Sequence, residues 1–148
     1  VLKHNSFCVS FYSWNKVDSF FRVWRKAGFY PVGHLVWVKN YHSSDQYVRY
    51  SHEQGYLLAK GRPEKPKTAL RDVLEWEFSQ NTLHPTQKPV MAILPLILTF
   101  SFAGDIVLDP FCGSGTTAIA ARTLGRRYIG IEIDQKYCET ARKRLQVA

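Results

Sequence analysis

The sequence predicts an α/β fold, a sheet carrying helices on both faces, and three observations predict it. Short apolar runs alternate with amphipathic segments along the chain. One such run, Ile106 to Leu108, ends in Asp109, turns through Gly113 and Gly115, and enters a helix-forming segment, Ala118 to Thr123. A second run, Tyr128 to Ile131, then ends in another acid, Glu132. Together the last two are the layout of a nucleoside-binding βαβ unit. The glycines let backbone approach a ligand, the helix N-terminus offers unpaired N–H groups, and the second acid can accept from two ribose hydroxyls.

Taken in order, Ser6 to Ser13 is rich in aromatic and β-branched residues and too short for a typical helix, so it reads as a strand. Asn15 is placed to cap the next helix, with Asp18 favouring its positive end. Val17, Phe20, Phe21 and Trp24 form an apolar face opposite Lys16, Arg22, Arg25 and Lys26, and Gly28 suits the position where that helix stops. Tyr30 to Lys39 and Tyr56 to Ala59 read as further strands, followed by an irregular stretch at 61–83. Pro89 opens a helix running to about Ser101, with a kink expected at Pro95. Gly104-Asp105 turns into the Ile106 strand. A last helix follows the Asp134 cap, buries Tyr137, Ala141 and Leu145, and carries Glu139 and Lys143 as an i,i+4 pair.

Composition narrows the class. The 148 residues suggest one domain, 1–148, and 45% hydrophobic content suffices for a core. Cys8, Cys112 and Cys138 are odd in number and widely spaced, which supports neither a disulfide framework nor a metal site and points to a reducing cytoplasm. Residues 90–103 are apolar but too short to span a bilayer, so no membrane association is expected. No leader peptide is visible, although Val1 is not a natural start. The net charge of +8 suits a polyanionic partner and equally a solvated basic surface.

The glycines alone leave the ligand open. Gly113-x-Gly115-x-x-Ala118 also satisfies a relaxed dinucleotide fingerprint, so NAD is a candidate. A P-loop is excluded because Thr116 stands where its Lys belongs. Asp109-Pro110-Phe111 favours S-adenosylmethionine: a carboxylate at the mouth of the turn repels a pyrophosphate but can pair with the ammonium of a methionine moiety.

Three segments in this order, His84-Pro85-Thr86-Gln87-Lys88-Pro89, Asp109 to Thr117 and Tyr128 to Asp134, resemble the β-class DNA amino-methyltransferases, which methylate adenine N6 or cytosine N4. The resemblance covers about Val1 to Leu145 and implies a Rossmann-like class I methyltransferase sheet with its motifs in circularly rearranged order. The cofactor it implies is S-adenosyl-L-methionine. Asp109, Phe111, Gly113 and Ser114 would line the methionine end, with Thr86 and Lys88 closing from the other side. Glu132 would take the ribose hydroxyls and Ile133 would pack on the adenine. His84 could serve as a base, but in a Pro-flanked loop it reads as positional.

The family's catalytic tetrapeptide, Asp/Asn/Ser-Pro-Pro-Tyr/Phe, has no match here, because the chain contains no Pro-Pro. No catalytic residue is therefore assigned. Val1 to Asn5 looks like the end of the helix after the strand that carries it, and that strand would lie between the Ser6 and Ile106 strands. About 30 or more residues are expected upstream. A chain beginning at Val1 would be weakly stable, or would have its sheet completed by a partner or a second copy in a homodimer.

The implied substrate is double-stranded DNA, with adenine N6 favoured on family frequency and a place in restriction-modification. Lys60, Arg62, Lys65, Lys67 and Arg71 crowd the irregular stretch near Tyr47, Tyr50 and Trp76, a composition suited to phosphate contact and base stacking. A solvated loop with its aromatics in the core explains them equally well. His52-Glu53 reads as structural. Two other classes stay open. One is a non-catalytic S-adenosylmethionine- or DNA-binding remnant, and the other an NAD-dependent oxidoreductase.

Overall fold

A computed structural model describes residues 2–42, 47–77 and 87–147. The chain forms two compact units, Val1–Glu75 and Trp76–Ala148.

The first unit is built on a four-stranded sheet of order β1-β3-β2-β4, comprising β1 (Ser6–Phe11), β2 (Phe29–Lys39), β3 (His52–Lys60) and β4 (Val73–Trp76). β3 runs antiparallel to both neighbours, with Cys8 opposite Leu58 and Trp37 opposite Glu53. The register of β2 shifts between Pro31 and Gly33, a bulge beside a residue that has no N–H for the ladder. Trp37 is fully buried and stacks on Phe11 at 4.9 Å between ring centroids, and Leu58 is almost as deeply covered.

Helix α1 (Val17–Lys26) lays Trp24 on this layer, where its ring meets Tyr56 of β3 at 5.4 Å. Gly28 ends the helix at φ +79 with its N–H on the Arg25 carbonyl, the left-handed stop its sequence position suggested. The helix start differs from expectation. Asn15 lies within a 3-10 turn (Trp14–Lys16), and its side chain accepts from Ser13 at 2.8 Å rather than capping α1. A second difference is β4, which falls in the stretch read as irregular. Four residues are too few for periodicity to stand out among the surrounding basic residues and prolines, yet the segment pairs with the β2 edge and buries Trp76.

In the second unit, β5 (Ile106–Asp109) and β6 (Arg127–Gly130) pair in parallel, with Asp109 opposite Gly130. Helix α3 (Thr116–Thr123) is the crossover between them. Its Ala118, Ala120 and Ala121 are buried, and these small side chains let α2 (Val90–Phe100) and its Ala92, Ile93, Leu96 and Ile97 pack closely. Pro89 stands at the N-cap of α2 with extended backbone, one position earlier than the first helical residue, and Pro95 lies inside the helix. Helix α4 (Gln135–Val147) begins where the Asp134 carboxylate accepts from the Lys136 N–H at 2.8 Å. Ala141 is its buried residue, and Tyr137 and Leu145 are half-buried. Glu139 accepts from Gln135 at 3.1 Å, and no ion pair to Lys143 forms among the described residues.

Gly115 is the hinge of this unit. It caps α3 at φ +83, and a Cβ there would lie 2.8 Å from the Cβ of Ala141. Gly115→Ala combines a left-handed penalty of about 1–2 kcal/mol with overpacking of about 1–3 kcal/mol. Chemical denaturation should show a loss of about 2–5 kcal/mol; a loss of only about 1 kcal/mol, the left-handed penalty alone, would mean that α4 does not press on the loop.

Candidate functional site

The β5-to-α3 loop contains a row of backbone donors, and the acceptors of four of them bear on what the loop can bind. The Phe111 N–H goes to the Asp109 Oδ1 at 3.1 Å, and that of Cys112 to the Ile131 carbonyl at 3.0 Å. The Gly113 N–H goes to the Glu132 Oε2 at 2.8 Å, and that of Gly115 to the Cys112 carbonyl at 2.8 Å. Four of the amides that a phosphate-binding loop would present are thus held within the protein, two of them by carboxylates.

Both carboxylates are themselves oriented. The Asp109 Oδ2 accepts from the Thr117 hydroxyl at 2.6 Å, which binds the end of β5 to the first turn of α3. The other Glu132 oxygen accepts from the Asp134 N–H at 2.9 Å. Gly130 permits the close packing of loop and strand, since a Cβ on it would lie 2.9 Å from the Cys112 Sγ. From α4, Arg144 donates to the Ser114 carbonyl at 2.7 Å and to the Ser114 Oγ at 3.1 Å. The Thr116 hydroxyl donates in turn to the Lys88 carbonyl at 3.1 Å.

A shallow hollow results. Gln87 and Lys88 line one part of it, and Asp109, Phe111 to Ser114, Thr116 and Thr117 line the rest. The Phe111 ring is 88% exposed and Ile133 is fully exposed, two apolar surfaces left uncovered beside a polar floor. Five of the residues expected around a methionine moiety (Lys88, Asp109, Phe111, Gly113 and Ser114) come together here, and Glu132 joins them through Gly113. Thr86 and His84 lie outside the described residues.

The residues suggested for DNA belong to the first unit. Arg62, Lys65, Lys67 and Arg71 are exposed, whereas the Lys60 ammonium is held by the Leu2 carbonyl at 3.2 Å and sits over the Phe29 ring. Of the neighbouring aromatics, Tyr47 is fully exposed, Tyr50 stacks on Trp14 at 6.1 Å, and Trp76 is buried. Glu53 forms an ion pair with Lys39 across β2 and β3, which gives the His52-Glu53 segment a structural role.

The profile of the N6/N4 DNA methylase family matches residues 1–143. The chain belongs to this family. YubD of Escherichia coli (strain K12), which carries a methylase name, is 53% identical over 145 residues, covering 98% of this chain and 64% of that protein. The chain thus spans a little under two thirds of that relative's length. YhdJ of the same organism, named as a DNA adenine methyltransferase, is 52% identical over 65 residues, 44% of this chain and 22% of YhdJ. Among solved structures, the M1.HpyAVI–SAM complex superposes with a TM-score of 0.83 at 32% identity, covering 97% of this chain and 76% of that one. The fold is the Rossmann-like fold of the class I, S-adenosylmethionine-dependent methyltransferases.

Three residues that shape this hollow were not singled out from the sequence: Cys112, Thr117 and Arg144. Thr117 lies one turn into a helix that starts directly after an acid-turn motif, the kind of placement that invites a side-chain latch. Arg144 follows Ala141 by three residues, so helical phase alone puts it on the loop-facing side of α4. Among the described residues no helix is long and apolar enough to cross a membrane, and no cluster of three His, Cys, Asp or Glu side chains could hold a metal.

Cys112 has a readable chemistry. Burial pushes its thiol above the ordinary value, and the negative Asp109 and Glu132 add to the shift. A raised pKa favours the neutral thiol, so less of the nucleophilic thiolate is present at a given pH than for a free cysteine. In a Cys8→Ser, Cys138→Ser background, the pH profile of iodoacetamide labelling at Cys112 should have its midpoint above that of a cysteine in a short unstructured peptide. A midpoint at or below that of the peptide would contradict the carboxylate environment described here.

Proposed function

We propose that this chain forms the cofactor-binding part of an S-adenosylmethionine-dependent DNA methyltransferase acting on the exocyclic amine of a base, adenine N6 in preference to cytosine N4. One observation carries the cofactor assignment. The loop's N–H groups at Phe111, Cys112, Gly113 and Gly115 are already bonded internally, two of them to carboxylates, so that Asp109 sets negative charge beside the amides that a dinucleotide fold turns towards pyrophosphate. Such a surface favours a ligand that brings positive charge and disfavours an anion.

The donor set fits the methyl donor. Asp109 would face its ammonium group, Lys88 and Thr86 would serve its carboxylate, and Glu132 would hold the ribose hydroxyls. Phe111 would cover the methionine end and Ile133 would pack on the adenine, both already exposed beside the polar floor. When bound, the cofactor supplies an electrophilic methyl on a positive sulfur. The task of these residues is to hold that group still and dry, because positioning provides much of the rate in such a displacement. We assign no catalytic residue within 1–148. The groups that orient the target amine belong to a Pro-Pro motif that this sequence does not contain, so binding and turnover should separate in this chain.

The target is inferred from relatives and charge. The 52% identity to a protein named as a DNA adenine methyltransferase supports adenine, and the net charge of +8 together with exposed Arg62, Lys65, Lys67 and Arg71 supports duplex DNA as the partner. The base would have to leave the stack to expose its amine. We also infer that residues 1–148 act as one domain in the whole enzyme. A cytoplasmic setting is in keeping with that substrate and with the odd, widely spaced cysteines.

Calorimetric titration tests the assignment. S-adenosylmethionine should bind the chain, NAD should not, and Asp109→Ala should weaken binding about tenfold or more, or about 1.4 kcal/mol. Labelled methyl should not pass to DNA from this chain alone. Equal affinity for NAD, or unchanged affinity in a folded Asp109→Ala protein, would overturn the cofactor reading. Transfer without added residues would overturn the separation of binding from turnover.

A further inference from the structure

We propose that Arg144 is a positioning residue that sets both walls of the cofactor hollow from behind, an inference that rests on the cofactor reading above. Its guanidinium lies on α4, a helix outside the family motifs in this chain, and donates to three neutral oxygens. They are the Ser114 carbonyl at 2.7 Å, the Ser114 Oγ at 3.1 Å and the Thr116 Oγ1 at 3.4 Å. Among the described residues no carboxylate forms an ion pair with it. An arginine drawn into a half-buried position with only neutral acceptors costs solvation, and burial lowers its pKa accordingly. A surface salt bridge would have been cheaper, so the direction in which the side chain points needs a reason.

The acceptors provide that reason. Ser114 and Thr116 are both buried polar residues lining the hollow, 3% and 7% exposed. Thr116 accepts from Arg144 and donates to the carbonyl of Lys88 at 3.1 Å, so one relay of donors runs from α4 through the loop to the opposite wall. Hydrogen bonds arranged head to tail in this way polarise and strengthen one another. The Ser114 hydroxyl, having accepted from Arg144, keeps its own proton to donate towards an acceptor such as the methionine carboxylate. One turn earlier, Ala141 presses against Gly115, so α4 grips the loop at two successive points on one face. Arg144 therefore fixes the spacing between the Asp109-to-Ser114 floor and the Lys88 wall. It touches neither the cofactor nor the transferred group.

The test uses the full chain with Arg144→Lys, Arg144→Met and Thr116→Val, read by amide hydrogen exchange without ligand and by calorimetric titration with S-adenosylmethionine. Arg144→Met should speed exchange at Gly113, Ser114 and Lys88 and weaken cofactor binding about tenfold. Arg144→Lys should recover part of both effects, since it keeps a charged donor but on a shorter side chain that reaches the three oxygens less well. Thr116→Val leaves the arginine in place and cuts the relay. It should affect Lys88 more than Ser114, and its effect should not add to that of Arg144→Met. If Arg144→Met does not fold, Arg144→Lys and Thr116→Val carry the same comparison. Unchanged exchange and affinity in folded variants would overturn the bracing role. A folded parent chain that does not bind S-adenosylmethionine would instead overturn the cofactor reading, leaving the exchange result to judge Arg144 separately.

Discussion

The hydrogen bond from the Gly113 N–H to the Glu132 carboxylate is the constraint on which the site depends. It joins the ends of two parallel strands across the loop that separates them. It places a negative charge on one of the amides that a strand-turn-helix would otherwise turn towards an anion. Partly buried bonds to a charged acceptor are worth about 1.5–3 kcal/mol each. The Thr117-to-Asp109 bond is of the same kind and fixes the other end of the loop. With both in place the loop is held at both ends and has little freedom to reshape.

The packing around the loop follows from side chains that are small. Alanines on α3 admit α2 on one side, and Gly115 and Gly130 leave no room to spare against Ala141 and Cys112. A close-packed layer with no spare volume transmits small displacements directly. Helix α4 thus belongs to the site as much as the loop does. The family likeness extends through this helix to residue 143, but the role of its arginine emerges only from the hydrogen bonds it makes.

Much of this was legible in the sequence, for reasons that differ by element. β5, the glycine turn, α3 and β6 announce themselves because turn chemistry, apolar runs and acids recur at the spacing that a parallel crossover requires. Helix α1 was legible from its aromatic face and from Gly28, which only a left-handed stop explains. Asn15 misled because a 3-10 turn precedes the helix and consumes its side chain locally. β4 was hidden because its pairing with β2 is a tertiary fact that four residues cannot encode. At the site, the residues brought into the hollow were those that a motif could name. The internal bonding of the amides, and the reach of Arg144 into Ser114, depend on strand register and helix phase, which no local pattern specifies. The Lys60 ammonium shows the reverse case: it was grouped with exposed basic residues by composition, yet it is tied to Leu2 and Phe29.

The central claim is that internal bonding of the loop amides makes the site a receiver of cationic rather than anionic ligands. The most direct test is a two-ligand NMR titration of the nitrogen-labelled chain, following the amides of Phe111, Cys112, Gly113 and Gly115. S-adenosylmethionine should move these signals together with those of Ile133 and Asp134, while inorganic pyrophosphate at the same concentration should leave them in place. Movement with pyrophosphate, or a response to S-adenosylmethionine confined to other parts of the chain, would contradict the account.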